Sequence, residues 1–230
     1  MSLRSTLSAQ PRMLVDGQRL DQPTFHAIYE AMPPGTRAEL INGVVRMPSP
    51  VGPLHGLAHF PTIAWLSSYT ENTPGVQGMD NTSTAMGLKS EPQPDVLLCI
   101  SPEYGGRTKT DPRFVEGIPE LLVEVSHASR YTDLGPKFED YERVGVQEYI
   151  VRAIEPDEIY WFVLRNGRFV DLDLGPDGSY RSEVFPGLWL DPAALLAGDT
   201  RQLRAVVERG CATPEHAAFV ARMAAARRTV

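Results

Sequence analysis

From Pro23 to Met32 the apolar residues Phe25, Ile28, Tyr29 and Met32 fall at i, i+3, i+4 and i+7, which predicts a short helix entered through a proline. "PPGTR" ends it. In "AELINGVVRM" (38–47) the "NG" pair sits between two short extended runs, the mark of a tight hairpin. A helix is expected from about His55 to Tyr69, with Pro61 kinking it or dividing it in two. "GVQGMDNTSTAMGL" reads as a strand and a turn. "QPDVLLCI" (93–100) is a buried strand entered through a proline, and "SPEYGGRTKTDPR" (101–113) a polar, mobile loop. The apolar strand "PELLVEV" follows, and then "DLGPKFEDYERVGV", a helix with Pro136 at its start and Gly145 as its stop. "EYIVRAI" and "EIYWFVLRNGRFVDLDL" predict further strands, the second folded at "RNGR" into a hairpin. Beyond Arg201 an alanine-rich stretch predicts a last helix, capped by Thr213 and Pro214 and ending in Arg227 and Arg228. The pattern is that of a mixed α/β chain, with helices flanking a central sheet and hairpins added to it. Residues 1–12 are polar and unpatterned, an expected disordered arm; 13–200 form the main domain and 201–230 a helical tail.

Composition narrows the function classes. A formal charge of −7 supplies no global positive field to draw the chain to nucleic acid or an anionic membrane, so a nucleic-acid site needs a local basic patch. Cys99 and Cys211 have no metal-binding spacing and suggest no disulfide framework, which fits a reducing cytoplasm. There is neither a signal-peptide apolar core nor a run of membrane-spanning length.

The chemistry concentrates around Glu124. A carboxylate among Leu121, Leu122, Val123 and Val125 is costly to bury without compensation. Asp95 enters a strand 29 residues earlier, a separation that allows the two strands to be neighbours. Side by side, the two carboxylates would either share a proton or bind a divalent cation such as Mg²⁺ or Mn²⁺. Glu39 is a third carboxylate in an apolar setting, and Lys137 the obvious cationic companion.

These residues carry a resemblance. "PD" at 94–95, "EVS" at 124–126, Asp133, Lys137, Tyr141 and "GVQEY" at 145–149 resemble the Uma-type family of putative restriction endonucleases, within the PD-(D/E)XK nuclease superfamily. "AELINGVVRMPSP" followed by His55 resembles that family's N-terminal signature, and "FPGLWL" (185–190) its closing strand; the likeness runs from about Phe25 to Leu196. It implies a restriction-endonuclease-like core and a metal held by Asp95, Glu124 and the Val125 carbonyl, with Glu39 as an added acidic residue. Ser126 occupies the place of the strand lysine, and Lys137 on the next helix stands in for it. Ser126 and Asp133 then fix Lys137 and the strand end. Ile150 and Arg152 depart from the family's tryptophan and aspartate.

The function implied is Mg²⁺-dependent hydrolysis of phosphodiester bonds in DNA, by a homodimer whose two sites address both strands. Arg107, Lys109 and Arg113 are candidates to grip the phosphate backbone, and His55 to touch substrate at the rim. The rival readings are a nuclease-fold protein that binds DNA or regulates without cutting, and a phosphodiesterase of small nucleotides. At single positions the rivals are a strand-entry turn for Asp95, a buried salt bridge to arginine for Glu124, an exposed helix lysine for Lys137, and a zinc pair for His55 and His59. Tyr141 and Trp161 read as core.

Overall fold

The computed structural model describes residues 13–227; the expected disordered arm and Arg228 lie outside these. Asp21 caps α1 (Gln22–Glu30) by accepting a hydrogen bond from the Thr24 amide. The "NG" hairpin forms β1 (Glu39–Ile41) and β2 (Val44–Arg46), with Asn42 and Gly43 both at positive φ (48° and 75°), as a two-residue primed turn requires. α2 runs unbroken from Pro53 to Asn72. Pro61 therefore neither divides the helix nor ends it. The carbonyl it leaves without an amide belongs to Leu57, which is 72% exposed and open to water, while Trp65, Leu66 and Tyr69 hold the second half in the core.

β3 (Val76–Asp80), β4 (Thr84–Ala85) and β5 (Val96–Ile100) follow. The segment expected as a polar loop is partly ordered by β6 (Lys109–Thr110), which pairs with β7 (Val115–Glu116). After β8 (Leu121–Ser126) the chain turns helical earlier than predicted, in α3 (Arg130–Thr132), a π-helical turn (Asp133–Lys137) and α4 (Phe138–Val144). Pro136 thus lies inside a helical run, where a wide turn accommodates its missing donor. β9 (Glu148–Ala153), β10 (Glu158–Arg165) and β11 (Arg168–Asp171) complete the main sheet. β12 (Tyr180–Arg181) pairs with β13 (Trp189–Leu190), and α5 (Pro192–Ala197), α6 (Thr200–Cys211) and α7 (Pro214–Arg227) close the chain.

The main sheet has the order β11-β10-β9-β8-β5-β3, with β8 and β9 parallel and the other neighbours antiparallel. β8 and β9 are buried along their whole lengths, as central strands covered on both faces should be. One face packs Leu121, Val123 and Ile150 under α2, with Leu203, Val207, Phe219 and Met223 of the last two helices joining the same core. The other face packs Leu97, Leu122, Tyr149 and Val151 under Tyr141 of α4. A smaller core joins Phe25 and Ile28 of α1 to Leu40 and Val45 of the hairpin. Glu148 anchors the segment before β13: its carboxyl accepts hydrogen bonds from the Ser182 hydroxyl (2.7 Å) and the Glu183 and Val184 amides (2.6 and 3.1 Å).

Candidate active site

Register brings the two carboxylates together. β5 and β8 pair with Val96 opposite Val123 and Leu97 opposite Leu122, so one step further along places Asp95 opposite Glu124. Alternation along β8 puts Glu124 on the same face as Leu122, beneath α4. Asp95 is fixed from three sides. Its Oδ2 accepts the Val125 amide (2.7 Å), its Oδ1 lies 3.1 Å from His55 Nε2, and His59 Nε2 donates to its backbone carbonyl (3.1 Å). His55 and His59 share a face of α2, but both spend their Nε2 atoms on the Asp95 strand entry, and His59 also on Asp80 (3.2 Å).

Glu124 faces an ammonium. Its Oε1 accepts hydrogen bonds from Lys137 Nζ (2.9 Å) and the Tyr141 hydroxyl (2.8 Å). The same Nζ lies 2.9 Å from Glu39 Oε1 and 4.0 Å from Asp133 Oδ1. The π-helical turn places Lys137 at the junction with α4, four residues before Tyr141, so both side chains converge on one carboxylate oxygen. Glu39 arrives from the hairpin. The Leu40 and Glu91 backbones bond reciprocally, and Glu39 Oε1 accepts the Gln93 amide (2.7 Å), which ties β1 to the chain just before Asp95. Asp133 is buried, yet among the described residues neither its carboxyl oxygens nor the Ser126 hydroxyl has a partner in good hydrogen-bond geometry, although the Ser129 and Ser126 hydroxyls lie near enough to favour its charge.

Electrostatics divide these carboxylates. Burial alone would raise Asp95, but the bond from His55, the Val125 amide and the nearby Lys137 outweigh it and hold its carboxyl below the usual range. Glu124 goes the other way. Burial pushes it well up, with Asp133, Asp95 and Glu39 adding to the effect against Lys137. Asp133 is raised by burial too. For Lys137 burial disfavours the charge, but Glu124, Glu39 and Asp133 together overcome it and keep the ammonium protonated.

A pocket of about 340 Å³ opens over these groups, between the strap Met47–Gly52 and residues 127–129 after β8. Glu39, His55, Asp95, Glu124, Val125, Asp133 and Lys137 all line it. Arg107, Lys109 and Arg113 do not. Arg107 is turned to Glu120 (3.4 Å) and Gln147 (3.2 Å), Lys109 stands exposed on β6, and Arg113 is paired with Glu30 and Asp111. The pocket's arginines are Arg37 and Arg46. Sequence reasoning passed over both, although the "NG" turn fixes Glu39 opposite Arg46 by simple counting. It also took Tyr141 for core alone and gave His59 no role at Asp95; these contacts depend on register and helix phase.

Among the described residues no three His, Cys, Asp or Glu side chains are grouped as a metal site. The donor chemistry nevertheless fits Mg²⁺ or Mn²⁺. Such ions are commonly held by only one or two carboxylates and keep several waters, and Glu124 Oε2, on the pocket wall, accepts no hydrogen bond from the described residues.

A mixed six-stranded sheet of this order, flanked by helices, is a nuclease-like fold. The chain belongs to the Uma2 family, described as a putative restriction endonuclease, which it matches over residues 23–193. In the same fold, the crystal structure of a putative nuclease belonging to DUF820 from Anabaena variabilis superposes with a TM-score of 0.56 at 14% identity, covering 75% of this chain and 97% of that one. No curated protein matches the chain.

Proposed function

We propose that this protein is a Mg²⁺- or Mn²⁺-dependent endonuclease hydrolysing phosphodiester bonds in DNA. The observation that carries the reading is the juxtaposition of Asp95 and Glu124 across two strands, with a charged lysine buried in the same pocket. Asp95, Glu124 and the Val125 carbonyl would hold the ion. When bound, it supplies neutralisation of a phosphate oxygen and a lowered pKa for a bound water. Lys137, protonated throughout the neutral range, orients the attacking water and stabilises charge growing on the phosphate. Glu39 and Asp133 balance that ammonium between turnovers, Tyr141 fixes the Glu124 rotamer, and His55 keeps Asp95 ionised.

Calorimetric titration with Mg²⁺ and Mn²⁺ on wild type and on the Asp95→Ala/Glu124→Ala double variant, followed by plasmid nicking, tests this. Binding and nicking are expected to vanish together. A wild type that binds no divalent ion even with DNA present would sink the catalytic reading. It would favour a DNA-binding or regulatory scaffold, the alternative that the occupation of Glu124 Oε1 by Lys137 supports. Cleavage confined to dinucleotides would instead indicate a small-nucleotide phosphodiesterase. We read the enzyme as cytoplasmic, on its two free cysteines, and as a homodimer able to reach both strands; its mass in solution tests the latter. No helix among the described residues is long and apolar enough to cross a membrane.

A further inference from the structure

Arg46 is the misfit of the pocket. It stands directly opposite Glu39 in the β1–β2 ladder, the position in which a cross-strand ion pair would form, yet no carboxylate of the described residues lies within 4.0 Å of it. The Glu39 carboxylate is committed to Lys137 and to the Gln93 amide instead. The Nε of Arg46 is buried and has no hydrogen-bond partner among the described residues. Arg37, in the same pocket wall, reaches only the neutral Asn81 side chain (2.8 Å). Of the other fourteen described arginines ten have a carboxylate within 4.0 Å, and the four that do not, Arg19, Arg201, Arg209 and Arg222, are exposed to solvent, whereas Arg37 and Arg46 are half-buried.

In a chain with net negative charge, a buried guanidinium edge without an anion costs free energy that an incoming anion would recover. The pocket is otherwise hostile to phosphate. Asp16, Glu39, Asp95, Glu124 and Asp133 line it, and the charge of Lys137 is already shared among three of them. A polyanion therefore needs cations that are not yet spent, and Arg37 and Arg46 meet that need. We infer that Arg46, assisted by Arg37, anchors a phosphate of the substrate strand next to the one that reacts, so that the phosphate grip lies in this wall and not in the 101–113 loop. The inference rests on the nuclease reading for the identity of the strand but not for the binding of the anion. Arginine suits the task because its planar fork can donate two parallel bonds to one phosphate.

The test uses the full chain without added metal and two probes, inorganic phosphate and a fluorescent single-stranded DNA 12-mer. Arg46→Met is expected to weaken 12-mer binding about tenfold and to lower the slope of log K against log salt by about 1. Arg37→Met acts in the same direction. Arg46→Lys retains the salt slope but loses part of the affinity, and since it preserves charge and length it guards against a folding defect in the methionine variant. Arg168→Met, on the exposed β10–β11 hairpin, leaves both unchanged. Should Arg46→Met and Arg46→Lys both bind the 12-mer like wild type, the anchor is overturned while the nuclease reading stands. Wild type that binds phosphate through Arg46 but no DNA keeps the anchor and overturns the nucleic-acid reading. Binding of neither probe overturns both.

Discussion

Replacing Lys137 by methionine removes the ammonium around which the site is assembled and keeps the aliphatic stem. Each carboxylate at 2.9 Å attracts that charge by roughly 6 kcal/mol at an effective dielectric constant of 20, most of which is offset by burying the charges. What remains after the substitution is a buried cluster of Glu39, Glu124 and Asp133 with no counter-charge. Breaking a buried pair from one side costs about 3–5 kcal/mol, and that is the expected loss of stability at pH 8. The Glu124 and Asp133 carboxyls are already raised by burial and in the variant lose the ammonium that opposes the rise, so the folded state binds more protons than the unfolded one and stability declines as pH rises through their folded values. The loss is therefore smaller at pH 5, where the cluster takes up protons. Adding Glu124→Gln removes one of the stranded charges and should restore a good part of the deficit. Urea unfolding of the single and double variants at pH 5 and 8 measures this. If Lys137→Met is as stable as wild type at pH 8, or the double variant is no better than the single one, the charge-assembled picture of the site is wrong.

Tyr141→Phe deletes one bond to Glu124 Oε1 and should cost about 1.5–3 kcal/mol in urea unfolding, with weaker divalent binding by calorimetry. Burial raises the Glu148 carboxyl to about 7, against Ser182 and two backbone amides that favour its charge. Its contribution is fully present below an unfolded value near 4.5 and is lost as pH rises through about 7, a change of about 3 kcal/mol. Glu148→Gln should flatten the pH dependence of thermal stability over that window; an unchanged slope would remove Glu148 as its source. Gly43→Ala forces a side chain onto φ 75° with its Cβ 3.3 Å from the Leu20 carbonyl, so a loss of about 1–2 kcal/mol is expected in urea melts.

Much of this molecule was legible because its strands obey local rules. The "NG" and "RNGR" turns set two hairpins, and the largely apolar runs around Leu97 and Val123 announce central strands. Other features depended on contacts distant in sequence. Pattern alone leaves Pro61 as a kink or a break and makes Pro136 a helix start; both lie inside helical runs, the first tolerated where the orphaned carbonyl meets water and the second within a wide turn. The basic loop attracted attention by composition, yet two of its cations are already paired with acids that no local pattern reveals. The tail beyond Arg201 looked separable because alanine is weakly hydrophobic. Leu203, Val207, Phe219 and Met223 nevertheless bury themselves in the main core.

Lys137 joins parts of the chain that pack on different cores, Glu124 from the sheet and Glu39 from the α1–hairpin unit. A lysine that did nothing but chemistry would be free to drift once hydrolysis ceased to be selected. Lys137 rivets the hairpin to the sheet whatever its part in chemistry, so a chain without nuclease activity would still be held to it by the need to fold. Persistence of this lysine and its acids in a relative would therefore record architecture as well as activity, and the arginine beside them, which has no carboxylate partner among the described residues, is the position whose loss would mark the change.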